Sequence, residues 1–194
     1  MADRKQQILR AALELVTELG YEACTVELLC QRSGASIGSL YHHFGSKDGV
    51  FTQLYLAGIR DYREQARASL MGADSLHMLV RELVIGYLRW VTEHPDWARF
   101  LLQCRDRVEA AGLLRAELAQ VNRQGQLDFA ERLDALGYQE QLQPMPMGCR
   151  FLILLGPSHE LARRWLAGRL EGQPLDYAEV LAEAAWQGLK RIDT

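Results

Sequence analysis

Four side chains that can donate hydrogen bonds or carry positive charge stand in one short run near the N-terminus: Tyr41, His42, His43 and Lys47. A tyrosine hydroxyl and a neutral histidine each donate one hydrogen bond, whereas a lysine supplies a compact positive charge. The two adjacent histidines also raise the alternative of a metal site. Neighbouring helical residues point about 100° apart, however, and no cysteine or carboxylate stands three or four residues away to complete a ligand set. We therefore expect no metal here.

Two short amphipathic helices joined through Gly34 must position these side chains. Thr25 is suited to cap the first helix, which we expect over residues 26–32. Ser36 is suited to cap a second, very short helix that reaches about His43. This is the layout of a helix-turn-helix, in which the second helix is presented to the major groove of DNA. The pattern predicts a protein that binds a DNA operator and releases it in response to a signal.

Apolar residues recur with helical spacing along the rest of the chain, and no segment alternates apolar with polar residues as a half-buried strand does. The other helices that we expect cover residues 3–19, 46–70, 75–93, 96–104, 107–136, 147–170 and 176–191. The sequence therefore predicts an all-α fold of about nine helices. We expect an N-terminal three-helix helix-turn-helix domain, residues 1–47, and a C-terminal helical domain, residues 48–194.

The composition is that of an ordered globular protein. Apolar residues make up 48 % of the 194 residues and charged residues 24 %, so wholesale disorder is not expected. No window holds the roughly 18 uninterrupted apolar residues of a membrane helix, and the N-terminus lacks the apolar stretch of a secretory signal. We therefore expect a cytoplasmic protein. Its net charge of −3 is unusual for a DNA-binding protein, so the DNA prediction rests on pattern and not on charge.

Motifs of other function classes do not occur in the sequence. We find no nucleophile elbow, P-loop, dinucleotide fingerprint or zinc-protease motif, so we expect neither an enzyme nor a cofactor. The four cysteines, at positions 24, 30, 104 and 149, fit neither a paired-cysteine metal motif nor a disulfide framework. Buried apolar packing is the favoured interpretation of all four.

One stretch, roughly residues 5–55, strongly resembles the tetracycline-repressor (TetR) family of bacterial transcription regulators. The resemblance is carried by Leu19-Gly20-Tyr21, by Thr25 at a helix start, and by the run Gly-Ala-Ser-Ile-Gly-Ser-Leu-Tyr-His-His-Phe-Gly-Ser-Lys over 34–47. The remainder of the chain resembles the family mainly in layout. The resemblance implies a regulator, by default a repressor, whose third helix enters the major groove.

The resemblance also implies, residue by residue, which side chains contact DNA. Those expected at the phosphates are Thr25, Tyr41, His43 and Lys47. Those expected to face the groove are Ile37, Gly38 and Ser39. The expected DNA-contacting set is completed by Glu27, Ser36 and His42. The physical chemistry agrees at Thr25, because it heads a helix whose free N–H groups and positive dipole end suit a phosphate.

Two positions depart from the family pattern. Glu27 stands where many relatives carry a basic or amide residue; its carboxylate either faces solvent or accepts a hydrogen bond from cytosine N4. Gly49 stands in the first turn of the fourth helix, where an acidic residue is more usual, and so forfeits a capping-box partner.

A single short recognition helix has too few base contacts for useful selectivity, so we expect a homodimer that binds a palindromic operator. The C-terminal domain is therefore expected to serve ligand binding and dimerisation. The last two helices are the expected interface, formed by Phe151, Leu155, Leu161, Ala162, Trp165, Leu166, Val180, Leu181, Ala184, Ala185 and Leu189. The apolar faces of these two helices could equally complete the core of the monomer, and we expect them to contribute to both the core and the dimer interface.

We expect a pocket for a small apolar or amphipathic effector between the DNA-binding head and that interface. Its candidate lining is Met78, Tyr87, Trp90, Trp97, Phe100, Gln103, Cys104, Arg107, Asn122 and Phe129, with the polar members at one end. Two alternatives stay open. One is a thiol-based redox-sensing transcription regulator on the same scaffold, since Cys24 precedes a helix N-terminus that could lower the pKa of its thiol. The other is a helical interaction module that binds no DNA.

The thin basic charge predicts a shallow dependence of DNA affinity on salt. Residues 1–48 carry six acidic and five basic side chains, and one of the acids, Glu27, stands at the expected interface. Few phosphate contacts should result, and each contributes about −0.9 to the slope of log affinity against log salt concentration. Affinities measured across a salt series give this slope; a value typical of many contacts per dimer would contradict the prediction.

Overall fold

The computed structural model describes residues 4–112 and 115–191 and is all-α in both ranges. Its helices are α1 (Arg4–Leu19), α2 (Val26–Ser33), α3 (Ile37–Phe44), α4 (Lys47–Gly72), α5 (Leu76–Glu93), α6 (Pro95–Ala111), α7 (Arg115–Ala135), α8 (Tyr138–Gln141), α9 (Met147–Leu166) and α10 (Ala178–Leu189). A 3₁₀ turn, Pro174–Tyr177, precedes α10. Nine of these helices have at least eight residues, so the predicted fold class is confirmed. Within the same ranges, no helix has the length and apolar character to span a membrane.

The predicted caps begin the helices at the expected residues. The Thr25 Oγ1 accepts a hydrogen bond from the backbone N–H of Leu28 at 3.2 Å, and Ser36 Oγ accepts one from Ser39 at 3.1 Å. Between the two helices, Gly34 adopts a φ of 67°, a left-handed conformation that glycine adopts without steric cost. Local side-chain chemistry therefore sets the limits of α2 and the start of α3.

Two helix boundaries differ from the prediction. The expected break between residues 104 and 107 is wrong, because α6 runs unbroken to Ala111 and contains no helix-breaking residue there. Helix α6 ends instead just before Gly112, which adopts a φ of 66°, and α7 begins at Arg115. Similarly, α9 ends at Leu166 rather than near residue 170, shortly before Gly168 with its φ of 67°.

The chain forms two compact units. The first contains Met1–Arg60 and Asp96–Val121, and the second contains Asp61–Pro95 and Asn122–Thr194. In the first unit, α1 packs on α2 and α3 over fully buried side chains such as Leu29. In the second, α5, α9 and α10 pack on one another around residues such as Leu88. The domain division expected at residues 47 and 48 stays a prediction.

Candidate nucleic-acid interface

Helix α3 has one face in the core of the first unit and one face in solvent. Leu40 is fully buried and Phe44 is 9 % exposed, so these two side chains attach the helix to α1 and α2. Ile37 and Tyr41, four residues apart, are instead 52 % and 51 % exposed. Residues four apart on a helix share a face, so these two side chains form one exposed apolar and aromatic strip. The outward face of α3 is therefore a candidate recognition surface.

The other predicted groove and phosphate residues of this segment are also accessible. Those that are exposed are Thr25, Glu27, Ser36, Gly38, His42 and His43, and Ser39 is partly exposed. The rings of His42 and His43 lie 5.1 Å apart and nearly perpendicular. No group of three potential metal ligands occurs among the residues in the described ranges.

Glu27 has local partners at the start of α2. Its pKa is lowered, first by a hydrogen bond from its own backbone N–H and second by one from Thr25, against a smaller opposing effect of burial. The carboxylate is therefore ionised and takes part in capping α2. The side chain is exposed to solvent, and acceptance of a hydrogen bond from a base stays a prediction.

Lys47, the first residue of α4, lies against an aromatic ring. Its Nζ is 4.5 Å from the centroid of the Tyr21 ring, and Cζ of Arg107 is also 4.5 Å from that centroid. The Tyr21 hydroxyl donates a hydrogen bond to the carboxylate of Asp48, and the Arg107 guanidinium forms an ion pair with Glu22. We call these five residues the Tyr21 cluster. Together with Ser46 they line a shallow cleft of about 520 Å³.

No pattern in the sequence indicates the Tyr21 cluster. Arg107 was assigned to the polar end of the effector pocket, yet it lies on α6 beside the loop that follows α1. The only signal available was the aromatic residue after Gly20, which is compatible with many surroundings. Arg4 was also missed: its Nη1 donates a hydrogen bond to the carbonyl of Gly34 at 3.2 Å, at the turn between α2 and α3.

The remaining arginines at the N-terminal end are paired with acids of the same unit. Arg32 makes two hydrogen bonds of 2.8 Å to the carboxylate of Glu18 and lies 3.6 Å from Glu14. Arg10 contacts Glu14 at 3.2 Å. These cations are therefore partly neutralised within the protein, in agreement with the weak basic character of the sequence.

Gly49 has a structural role that the family comparison did not suggest. A Cβ atom at this position would lie 1.9 Å from the carbonyl oxygen of Phe44, the last residue of α3. Only glycine allows the first turn of α4 to approach α3 this closely. The backbone N–H of Gly49 also donates to the Ser46 Oγ at 3.0 Å, which caps α4. The glycine thus fixes the junction between α3 and α4.

The ten candidate pocket residues divide between the two units. Those in the first unit are Trp97, Phe100, Gln103, Cys104 and Arg107. Those in the second unit are Met78, Tyr87, Trp90, Asn122 and Phe129. Five of the ten are buried, namely Phe100, Cys104, Tyr87, Trp90 and Phe129, and Trp97 is partly buried. The polar members Gln103, Arg107 and Asn122 are exposed, as is Met78.

An aromatic cluster surrounds Trp90 in the second unit. The Tyr62 ring lies 5.4 Å from that of Trp90 and 5.6 Å from that of Tyr87, and the Trp90 Nε1–H donates to Asp61 at 2.9 Å. Burial raises the pKa of Tyr62 to about 12, and burial also raises the pKa of Tyr87. Both phenols therefore stay neutral at physiological pH. The cluster is an aromatic packing unit that also contacts the Asp61 carboxylate and the rings of His94 and His159.

The candidate interface residues differ widely in exposure. Ala162, Ala185 and Leu189 are buried within the second unit, whereas Val180 is 73 % exposed and Ala184 is exposed. The partly exposed members are Phe151, Leu155, Leu161, Trp165, Leu166 and Leu181. Leu152, which follows Phe151 on α9 and belongs to the same expected interface helix, is 71 % exposed. The two helices therefore complete the core with one side and present apolar residues to solvent with the other.

The cysteines agree only in part with the expected burial. Cys24 and Cys104 are 0 % and 3 % exposed, and burial raises the pKa of both thiols. The prediction is wrong for Cys149, which is exposed, and incomplete for Cys30, which is partly exposed. Burial raises the pKa of the Cys24 thiol more than the charge of Lys47 lowers it, which is opposite to the lowering expected from a helix N-terminus. The buried thiols stay protonated and do not support redox sensing.

Comparisons with known proteins agree with this architecture. Residues 8–54 match the family model described as "Bacterial regulatory proteins, tetR family". The chain is 42 % identical over 129 residues to the transcriptional repressor AcnR of Corynebacterium efficiens, covering 66 % of this chain and 62 % of that protein. It is 25 % identical to the transcriptional regulator BetI of Vibrio campbellii, covering 89 % and 84 %. The chain spans 62 % of the length of AcnR of Corynebacterium glutamicum, and 48 % and 53 % of the lengths of two further relatives.

Solved structures share the fold at low sequence identity. A tetR-family regulatory protein from Rhodococcus RHA1 superposes with a TM-score of 0.77 at 18 % identity, over 100 % of both chains. The ketosteroid transcriptional regulator KstR2 of Mycobacterium tuberculosis superposes with a TM-score of 0.72 at 16 % identity, over 99 % of this chain and 97 % of that chain. Likeness at this level of identity shows the fold.

Substitution of Gly49 by alanine should destabilise the first unit. The new Cβ must displace the Phe44 carbonyl, and such overpacking costs about 1–3 kcal/mol of unfolding free energy. Gly148→Ala is the matched control, because a Cβ there meets no atom within 4 Å. Urea unfolding followed by circular dichroism measures both variants. Equal stability of the two variants would contradict the close approach at Gly49.

Proposed function

The chain belongs to the TetR family of bacterial transcription regulators, a family of DNA-binding proteins and not of enzymes, and we propose that it is a cytoplasmic repressor. In this proposal a homodimer binds a palindromic operator, and a small apolar or amphipathic effector releases or alters that binding. The observation that carries the proposal is the outward face of α3, with Ile37 and Tyr41 both about half exposed.

DNA binding is supported by the chemistry next to that face. Tyr41 and His43 offer hydrogen-bond donors for phosphate oxygens, and Lys47 supplies a positive charge at the start of α4. The N-terminus of α2 at Thr25 adds backbone N–H groups and the positive end of a helix dipole. Ile37, Gly38 and Ser39 are proposed to meet base edges, where the small residues allow the helix backbone to approach the groove.

Dimerisation is supported by the exposed apolar side of α9 and α10. Leu152 on α9 and Val180 on α10 are more than two thirds exposed. Ala184 and Gly188, which follow Val180 at four-residue spacing on α10, are small enough for helices to approach closely. Two recognition helices spaced about 34–36 Å apart, or a multiple of that distance, read successive major grooves on one side of the duplex. The proposed symmetry of the protein therefore sets the spacing of the half-sites.

Release by an effector is proposed from the buried aromatic residues of the candidate pocket. Tyr87, Trp90 and Phe129 offer apolar surface, with 6 %, 3 % and 3 % exposure respectively. An effector changes DNA affinity only if it binds the two conformations of the dimer unequally. The proposed ligand therefore binds more tightly to the dimer conformation whose recognition helices are spaced too unfavourably to bind the operator.

The double variant Tyr41→Phe with Lys47→Ala should weaken operator binding. It removes a hydroxyl donor and a positive charge from each half-site, and loss of phosphate contacts lowers affinity on all sequences alike. We expect a loss of at least roughly tenfold, measured by fluorescence anisotropy with a duplex selected from a random library. Lys190→Ala, which removes a charge from the end of α10, is the matched control. Unchanged affinity of the double variant would favour an interaction module that does not use DNA.

Substitution of Val180 by glutamate should dissociate the dimer. A carboxylate at a position that a second copy covers must be desolvated without a partner, which strongly opposes association. Leu127→Glu, at a 48 % exposed position of α7, is the matched control and should leave the mass unchanged. Sedimentation velocity at micromolar concentration distinguishes the two states. A V180E variant that sediments like the wild type places the interface elsewhere.

A further inference from the structure

The Tyr21 cluster contains two cations and two carboxylates on three different segments. Tyr21 and Glu22 follow α1, Lys47 and Asp48 open α4, and Arg107 lies on α6. The Tyr21 ring is held from within, because it lies 4.7 Å from the ring of the buried Phe51. The ring is thus a fixed element around which the charged side chains are arranged.

Each carboxylate of the cluster has its own partner. Asp48 accepts the hydrogen bond of the Tyr21 hydroxyl, and Glu22 forms the ion pair with Arg107. The phenol keeps its proton at physiological pH, because burial and the hydrogen bond to Asp48 both raise its pKa. The donor to Asp48 is therefore always present.

Lys47 contacts the ring and no carboxylate. Within residues 4–112 and 115–191, no ion pair of its ammonium is found, although Glu22 and Asp48 line the same cleft. The carboxylates of Glu22 and Asp48 would each attract the Lys47 ammonium. Glu22 is instead paired with Arg107, and Asp48 accepts the hydrogen bond of Tyr21. With two positive and two negative groups the cleft is also not an anion site in itself.

We propose that Arg107 is a positioning residue for DNA binding, which keeps Lys47 available to a phosphate by holding the carboxylate of Glu22. The proposal rests on the proposed function, in which Lys47 contacts the operator backbone. Without Arg107 the Glu22 carboxylate loses its partner and pairs with Lys47. A DNA phosphate must then displace Glu22 before it can bind.

The geometry favours this indirect role over a direct contact of Arg107 with DNA. The guanidinium is engaged on one side by Glu22 and on another by the Tyr21 ring. A phosphate that approached it would have to break an ion pair that already satisfies its charge. Lys47, in contrast, gives up only a ring contact, and its ammonium has three donors to offer.

The test measures affinity for a duplex that the wild-type chain enriches from a random-sequence library. Arg107→Ala should weaken binding about three- to tenfold, because an exposed ion pair must be broken at each of two half-sites. Arg107→Lys keeps the pairing with Glu22 and should stay within about twofold of the wild type. Melting followed by circular dichroism verifies that each variant is folded, and Arg107→Gln replaces Arg107→Ala if that variant is not.

The decisive comparison is between two double variants with the same net charge. Arg107→Ala with Glu22→Gln removes the competing carboxylate and should restore binding to within about twofold of the wild type. Arg107→Ala with Asp106→Asn makes the same change in charge at an exposed neighbour on α6 and should not restore it. In a Lys47→Ala background, Arg107→Ala should have no further effect.

Four results would overturn the inference. These are wild-type affinity of R107A, loss of affinity in R107K equal to that in R107A, equal rescue by both double variants, and a further loss in the K47A background. A direct phosphate contact of Arg107 would instead appear as a salt slope reduced by about 0.9 per half-site without rescue by E22Q. If no duplex is enriched at all, the proposed function fails and this inference fails with it.

Discussion

The burial of Leu40 and Phe44 is the interaction on which the candidate interface depends. An eight-residue helix is not stable alone in water, since its nucleation cost exceeds what one or two turns return. Packing of these two side chains against α1 and α2 both forms α3 and fixes its rotation. Because residues four apart share a helix face, the same packing turns Ile37 and Tyr41 outward. The packing of the core of the first unit thus also determines which side chains of α3 face the solvent.

The ends of α3 are held as tightly as its face. Ser36 caps the start, and Gly45 ends the helix with a φ of 74° and a backbone N–H that donates to the Tyr41 carbonyl at 2.9 Å. The chain then turns at once into α4, where Gly49 allows contact with the Phe44 carbonyl. Lys47 lies within this short junction, so its backbone position follows from the same packing that orients α3.

Sequence reasoning succeeded where the determining interactions are local. The caps at Thr25 and Ser36 and the glycine at 34 act within a few residues, so the limits of α2 and the start of α3 could be predicted. The exposure of Ile37 and Tyr41 also follows from helical periodicity. Their contact with DNA stays a prediction, because a single chain without DNA does not test it.

Sequence reasoning failed where distant segments meet. The sequence pattern predicts Arg107 at the polar end of the effector pocket, but its partners Tyr21 and Glu22 are more than 80 residues away in the chain. The path of α6 through residues 104–107 was missed because the capping glycine at 112 lies beyond an expected break. Gly49 was interpreted as a lost cap, whereas the close approach that requires it involves the preceding helix. None of these contacts has a local signature.

The arrangement of charge in the first unit shows why the net charge of −3 does not by itself describe the candidate interface. Arg32 and Arg10 are neutralised by Glu18 and Glu14 on α1 and contribute little field beyond the protein surface. At the start of α4, in contrast, the acids Glu22 and Asp48 are bound by Arg107 and Tyr21, and Lys47 contacts only the Tyr21 ring. A carboxylate already bound to a cation or a phenol competes weakly for a second cation. The strength of phosphate binding at such an interface therefore depends on how many cations lack an acidic partner, and the net charge of the chain is a poor guide to that number.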